Sequence, residues 1–133
     1  MARQIRLTDA QFAVLERLWR TGPQTIRQLT AELYPTQTAS DYATVQKLVE
    51  QLEEKRCVKR DRSRMAHVFS ATTSRTDLID SQLQAITNKL CDGSFTPLLL
   101  RLVEGNKLSQ HERNELAKLL QAPRSDKQGE RHD

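Results

Sequence analysis

Cysteine and glycine are scarce in this sequence, and each scarcity excludes a kind of site. The two cysteines, Cys57 and Cys91, form no CxxC or CxC pair, which argues against a disulfide framework or a thiolate metal cage. Only four glycines occur in 133 residues, and none belongs to a glycine-rich phosphate loop. We therefore expect idle or buried thiols, no metal and no cofactor.

Long apolar runs are also absent. Hydrophobic residues make up 37% of the chain and the mean hydropathy is −0.67, and no run approaches the roughly 18 apolar residues that span a membrane. The polar start, MARQIRLTDAQ, lacks the apolar core of a secretory signal. These features predict a cytoplasmic protein without direct membrane binding.

Catalytic motifs are missing as well. The histidines, His67, His111 and His132, show no HExxH motif, no repeated ligand spacing and no cysteine partner. The sequence contains no GxSxG motif and singles out no pair of carboxylates. We therefore expect a protein that is not an enzyme.

The excess of positive over negative charge is confined to the first half of the chain. Residues 1–72 hold twelve Lys and Arg against eight Asp and Glu, whereas residues 73–133 hold nine against nine. The whole net charge of +4 thus belongs to the first half. Charge restricted to one module is expected where that module binds a polyanion such as DNA.

Three helix starts can be located from capping boxes, in which Ser or Thr is followed three positions later by Gln or Glu. The pairs are Thr8 with Gln11, Thr25 with Gln28, and Ser109 with Glu112. The first pair predicts a helix over about 9–20 that ends at Gly22-Pro23, and the second predicts a helix over about 26–34 that ends at Pro35.

A third helix is predicted from Thr38 or Ser40 to about Lys55, because Val45, Leu48, Val49 and Leu52 follow the spacing of one buried face. The period then changes, and residues 57–71 predict a β-hairpin that turns at residues 61–64. Three short helices followed by a basic hairpin outline a winged helix-turn-helix.

In the second half, helices are expected over about 75–91 and about 110–121, with a short apolar segment around LLLRLV between them. Its last helix is predicted to bury Leu116, Leu119 and Leu120. Because three leucine-rich helices cannot cover one another, we expect a second copy of the chain to pack on them as a homodimer. The predicted dimerisation residues are Leu83, Ile86, Leu90, Leu99, Leu102, Leu116 and Leu119.

The predicted fold is mainly α with a small β-hairpin. A winged helix-turn-helix DNA-binding domain is expected over residues 1–72, a helical dimerisation region over 73–121, and a disordered tail over 122–133.

DNA contacts are expected from the outward face of the third helix and from the hairpin. Gln can bond adenine edges, Lys can reach guanine or phosphate, and hydroxyls fix phosphates. The alternative at this stage is a merely solvated helix face and charge run. The hairpin region carries Lys55, Arg56, Lys59, Arg60, Arg62 and Arg64. The predicted DNA-binding residues are Thr25, Tyr42, Ala43, Thr44, Gln46, Lys47, Arg60, Arg62 and Arg64.

Residues 7–121 resemble the penicillinase-repressor family of BlaI and MecI, with the copper-responsive CopY repressors as relatives. The resemblance rests on LTDAQFAVLERLWRTGPQTIRQLTAEL, on DYATVQKLVEQLEEKRCVKRD and on the wing at AHVFSA. It implies a bacterial homodimeric repressor that binds a pseudo-palindromic DNA operator and controls β-lactam-responsive or similar stress genes. The alternative is a winged helix that serves as a protein-interaction module without sequence-specific DNA binding.

In several members of that family, a membrane-bound sensor protease relieves repression by cutting the dimerisation region. The matching bond by position is Arg101-Leu102. Staphylococcal-type repressors carry Asn-Phe there, so this sequence departs from the pattern. It also lacks the C-terminal cysteine metal hook of the CopY branch, which disfavours copper sensing.

Overall fold

Six helices and a small antiparallel sheet make up residues 4–122, the part of the chain that the computed structural model describes. The mainly helical class and the hairpin are confirmed. The elements are α1 (Asp9–Thr21), β1 (Gln24–Thr25), α2 (Ile26–Leu33), α3 (Ala39–Glu54), β2 (Val58–Asp61), β3 (Val68–Ala71), α4 (Arg75–Leu90), α5 (Thr96–Glu104) and α6 (Gln110–Gln121).

The three expected capping boxes are confirmed, at the starts of α1, α2 and α6. The start of α3 settles on Thr38, whose hydroxyl accepts from the Asp41 N–H at 3.0 Å while the Asp41 carboxylate accepts from the Thr38 N–H at 3.0 Å. Ser74 and Asp77 form the same pair before α4. The pattern with Gln or Glu does not include these two boxes, because both carry Asp at the third position.

The sheet has a strand that the sequence did not predict. Its order is β1-β3-β2, with β1 adding Gln24 opposite Phe69 and Thr25 opposite Val68. A strand of two residues is too short to show alternation. Its effect is to join the start of α2 to the wing, the hairpin formed by β2, β3 and the loop between them.

The core of the N-terminal part is formed by α1, α2, α3 and the sheet. All four predicted apolar positions of α3 are buried, as are Leu15 and Leu18 of α1. Val14 is also fully buried, whereas Phe12 and Trp19 are only partly buried. The apolar face of α3 therefore turns inward, which leaves its opposite face for solvent or a partner.

Residues before α1 brace the end of α3. The Ile5 N–H donates to Ser81 Oγ at 2.6 Å, and Gln82 donates to the Ile5 carbonyl at 3.0 Å. Lys55 Nζ donates to the Arg6 carbonyl at 2.5 Å and to Gln11 Oε1 at 2.6 Å. The N-terminal segment thus connects α4 to the C-terminal end of α3.

The described residues up to Ile86 form one compact unit, and those from Thr87 form a second. Helix α4 contributes to both, so the functional division at residues 72 and 73 stays a prediction. The tail predicted over 122–133 lies outside the described residues, except for Ala122.

The expected burial of α6 is wrong for the single chain. Leu119 is 73% exposed and Leu120 is 69% exposed, and Leu116 is only partly buried. On α4, Leu90 is 73% exposed. The helical period identified the apolar positions correctly, but nothing within residues 4–122 covers them.

Within residues 4–122, the helices are all too short or too polar to cross a bilayer.

Candidate nucleic-acid interface

The outward face of α3 carries the polar residues expected to contact DNA. Each of these residues is exposed, and Tyr42 retains 42% of its accessible surface. Tyr42 and Gln46 are one helical turn apart and therefore lie on the same row of the helix. The full set is Tyr42, Ala43, Thr44, Gln46 and Lys47.

An open groove of about 810 Å³ runs between the start of α2, the outward face of α3 and the wing. Of the predicted DNA-binding residues, Thr25, Tyr42, Gln46 and Arg60 line this groove together. Ala43, Thr44 and Lys47 lie on the exposed surface of α3 without lining it. The lining residues are Thr25, Ile26, Arg27, Gln28, Tyr42, Gln46, Arg60, Met65, Ala66, His67 and Phe69.

Two threonine hydroxyls on this surface already form hydrogen bonds within the protein. Thr44 Oγ1 donates to the Ser40 carbonyl at 3.0 Å, and Thr25 Oγ1 accepts from the Gln28 N–H at 3.1 Å as a helix cap. Gln46 has a weaker tie, because its amide nitrogen is 3.5 Å from a Glu50 carboxylate oxygen and contacts at that distance are marginal. The Gln46 amide is therefore the group on α3 best able to exchange its partner for a base edge.

The Arg60 side chain is largely buried, although it was predicted to contact DNA. Its guanidinium donates to both oxygens of Glu53, at 3.3 and 2.9 Å, and only 18% of the side chain is exposed. The same group lies 4.8 Å above the Phe69 ring and 3.2 Å from His67 Nδ1. The reason is strand alternation, since Arg60 shares the inward face of β2 with buried Val58.

The loop over residues 62–67 presents the remaining wing cations. The Arg62 side chain is 65% exposed, and Arg64 lies in an exposed stretch of the loop. Asp61 accepts from the Ser63 N–H at 2.9 Å, and hydrogen bonds from Ser63 hold the pKa of Asp61 below its usual range. Asp61 thus stays ionised and folds back onto its own loop.

The six cations of residues 55–64 do not form one patch. Lys55 donates a hydrogen bond to the N-terminal segment, and Arg60 donates one to Glu53. Lys59, Arg62 and Arg64 are exposed. The sequence identified the charge correctly but could not assign individual cations, because their partners come from elements distant in sequence.

Sequence reasoning missed several residues that line the groove. Arg27 and Gln28 belong to the first turn of α2, directly after the predicted Thr25 cap. Met65, Ala66 and His67 belong to the wing loop, where Met65 is fully exposed. An exposed apolar side chain between polar residues is a signal, but the hairpin pattern alone could not show that the loop faces α3.

The carboxylate of Asp41 is fixed at the start of α3. Thr36 Oγ1 donates to it at 2.7 Å. This bond, with those from Thr38, holds the pKa of Asp41 below its usual range. A carboxylate at a helix N-terminus is stabilised by the helix dipole, so this end of α3 already holds an anion.

This geometry agrees with the match between the chain and known families. The sequence profile of the penicillinase repressors matches residues 7–122, nearly all of the described chain. The chain belongs to the penicillinase repressor family.

Two relatives by sequence agree with that assignment, and one solved structure stands beside them as a likeness only. The transcriptional regulator BlaI of Mycobacterium tuberculosis is 32% identical over 106 residues, which are 78% of this chain and 76% of that protein. The penicillinase repressor of Bacillus licheniformis is 23% identical over 116 residues, 87% of this chain and 90% of its own length. A solved structure of a probable transcriptional regulator from Pseudomonas aeruginosa is 26% identical, covers 86% of this chain and 76% of that chain, and gives a TM-score of 0.41.

Family membership confirms the prediction of a bacterial transcriptional repressor with a winged helix-turn-helix. The family consists of transcriptional regulators rather than enzymes. The alternative of a protein-interaction module without sequence-specific DNA binding is not favoured.

Proposed function

We propose that this repressor binds a pseudo-palindromic operator as a homodimer, with α3 of each subunit in a major groove and each wing against phosphates. The observation that carries the proposal is the shared groove, in which the outward face of α3 and the wing line one surface. Gln46 lines this groove, which supports a role for it in contacting base edges. Arg62 and Arg64 extend from the loop beside it, where they can contact the backbone.

The homodimer is supported by the apolar side chains that the single chain leaves exposed. In α4, Leu83 and Ile86 are 38% and 41% exposed, and in α5 Leu102 is 45% exposed. Exposed apolar residues repeated on successive helices are typical of surfaces that another protein covers. A second copy of the chain would bring two α3 helices to one operator, which matches the two-fold symmetry of a pseudo-palindromic operator.

The proposed target genes are those that respond to β-lactams or a similar stress, by likeness to the penicillinase repressor of Bacillus licheniformis. Cleavage by a membrane-bound sensor protease at Arg101-Leu102 stays a prediction. Both carbonyls at this bond are engaged, with Arg101 accepting from the Gly105 N–H at 2.9 Å and Leu102 from the Lys107 N–H at 3.1 Å. A protease must therefore unwind α5 before it can cut.

The proposal is tested by electrophoretic mobility shifts on DNA from upstream of the repressor's own gene, with random duplex as competitor. Operator binding predicts a complex that survives a large excess of random duplex, with one dimer per site. Equal competition by both duplexes would instead indicate a surface for DNA of any sequence. A failure to bind either duplex would leave the protein-interaction module.

Replacing Arg62 and Arg64 by Ala is expected to weaken binding to operator and random duplex alike. Each phosphate contact contributes about 0.9 to the slope of log K against log salt, so the slope should fall by about 2 for each subunit. Titrations from low to high salt measure this slope. The control is Arg20→Ala with Arg101→Ala, which removes the same charge from side chains that are 64% and 79% exposed. An equal loss in this control would contradict the role of the wing.

Replacing Gln46 by Ala is expected to change which sequence is preferred. A side chain that reads a base pair contributes about 1–3 kcal/mol to discrimination at that position, and Ala cannot bond the base. Affinities for a set of operators with single substitutions measure the effect. Gln121→Ala, at the exposed end of α6, is the matched control. Equal losses of affinity for operator and random duplex would argue against base contact by Gln46.

A further inference from the structure

One carboxylate at the C-terminal end of α3 contacts two arginines of the wing. Glu53 lies in the last turn of α3, and its oxygens are 2.9 Å from Arg60 Nη2 and 4.0 Å from Arg62 Nη2. The Glu53 side chain is 29% exposed, against 18% for Arg60 and 65% for Arg62. The two arginines are therefore held differently, one firmly and one loosely.

The contact with Arg60 has the geometry of a strong ion pair. Two nitrogens of the guanidinium meet both carboxylate oxygens, an arrangement that fixes orientation as well as distance. The Phe69 ring below the guanidinium and His67 Nδ1 beside it close two further directions. Because Phe69 is buried in the sheet, the wing cannot shift against α3 without breaking these contacts.

The contact with Arg62 is at the limit of an ion pair and largely in water. Such a pair contributes little free energy, so a phosphate can displace Glu53 from it. Until that happens, the carboxylate neutralises part of the positive field through which the wing attracts DNA of any sequence.

We propose that Glu53 is a positioning residue that sets the spacing between α3 and the wing, and that it also restrains Arg62 from binding phosphates indiscriminately. This inference rests on the proposed function of operator binding. In a specific complex, both α3 and the wing must fit the same duplex, so a fixed spacing between them favours the operator. In a non-specific complex, the wing cations alone contribute most of the affinity.

The test is Glu53→Gln in the full-length protein, with binding to operator and random duplex measured across a range of salt. Arg62 becomes available to one more phosphate, so the salt slope on random duplex should steepen by about 1 for each subunit. The ratio of operator to random affinity should fall by roughly tenfold, the equivalent of one hydrogen bond to a charged group.

The matched control is Glu54→Gln. Glu54 is the next residue of α3, carries the same charge, and is exposed beside Gln4 and Arg6 rather than beside Arg60 and Arg62. If Glu53 acts only through net charge, the two variants will have equal salt slopes and equal affinity ratios, and the proposal is overturned. The same holds if Glu53→Gln lowers both affinities equally because the fold has weakened.

Glu53→Asp separates spacing from charge. The shorter carboxylate keeps the charge, so its salt slope should stay close to that of the wild type. Because it cannot reach both Arg60 nitrogens, its affinity ratio should fall. A wild type that does not discriminate between the duplexes would refute operator binding itself. A wild type that discriminates, with a Glu53→Asp variant that matches it in both measurements, would refute only the role of Glu53.

Discussion

Replacing Leu119 by Glu is expected to turn the proposed dimer into a monomer and to lower operator affinity by about 10²–10⁴-fold. When two binding heads are joined, the second binds at an effective concentration set by the connection, and separation loses that gain. The proposed DNA-binding surface on α3 and the wing is not altered, because Leu119 belongs to α6. Affinity for a duplex with one half-site should therefore change little.

The exposure of Leu119 makes this substitution informative. The side chain is 73% exposed in the single chain, so a carboxylate there remains hydrated in the monomer and should hardly affect its folding. In a dimer that covers this position, the same carboxylate would lose its water, which costs several kcal/mol without a partner charge. The dimer is thus destabilised selectively.

Sedimentation equilibrium gives the mass in solution, and mobility shifts on full and half operators give the affinities. Gln110→Glu is the control, since it adds the same charge to the same helix at an exposed polar position in the first turn. It should remain dimeric. If Leu119→Glu also remains dimeric with full operator affinity, α6 does not form the interface.

Local rules predicted most of the helices, because their signals lie within a few residues. The buried face of α3 followed from the spacing of Val45, Leu48, Val49 and Leu52, and all four are buried. The capping boxes located three helix starts to the residue. The DNA-binding candidates on α3 followed in turn, because the face opposite a buried stripe must be exposed.

Long-range pairing accounts for what the sequence did not predict. Arg60 is directed to Glu53 by the position of β2 beside α3, and no local pattern reveals which carboxylate an arginine meets. The strand β1 exists only because Gln24 and Thr25 reach β3 across the fold. For α6, periodicity identified an apolar stripe, and the cover expected for it was a second copy of the chain. Leu119 and Leu120 accordingly stay exposed among the described residues of one chain.

Phe69→Ala is expected to cost about 3–5 kcal/mol of the free energy of unfolding, the usual range for removing a buried aromatic ring. Phe69 is 1% exposed and lies in the central strand of the sheet, opposite Gln24 on one side and Arg60 on the other. Its loss leaves a cavity and removes the surface on which the Arg60 guanidinium rests. Because domains of this size are stable by only about 5–15 kcal/mol, a large share of the variant should unfold at modest urea concentrations.

Urea titrations followed by circular dichroism measure the change, with Met65→Ala as the control in the same hairpin. Met65 is fully exposed, so its truncation should change stability by no more than about 0.5 kcal/mol. Stability and specificity should also fall together in Phe69→Ala, since the Arg60 contact with Glu53 depends on the ring. A cost below about 1 kcal/mol would contradict the burial of Phe69, and with it the anchoring of the wing to the core.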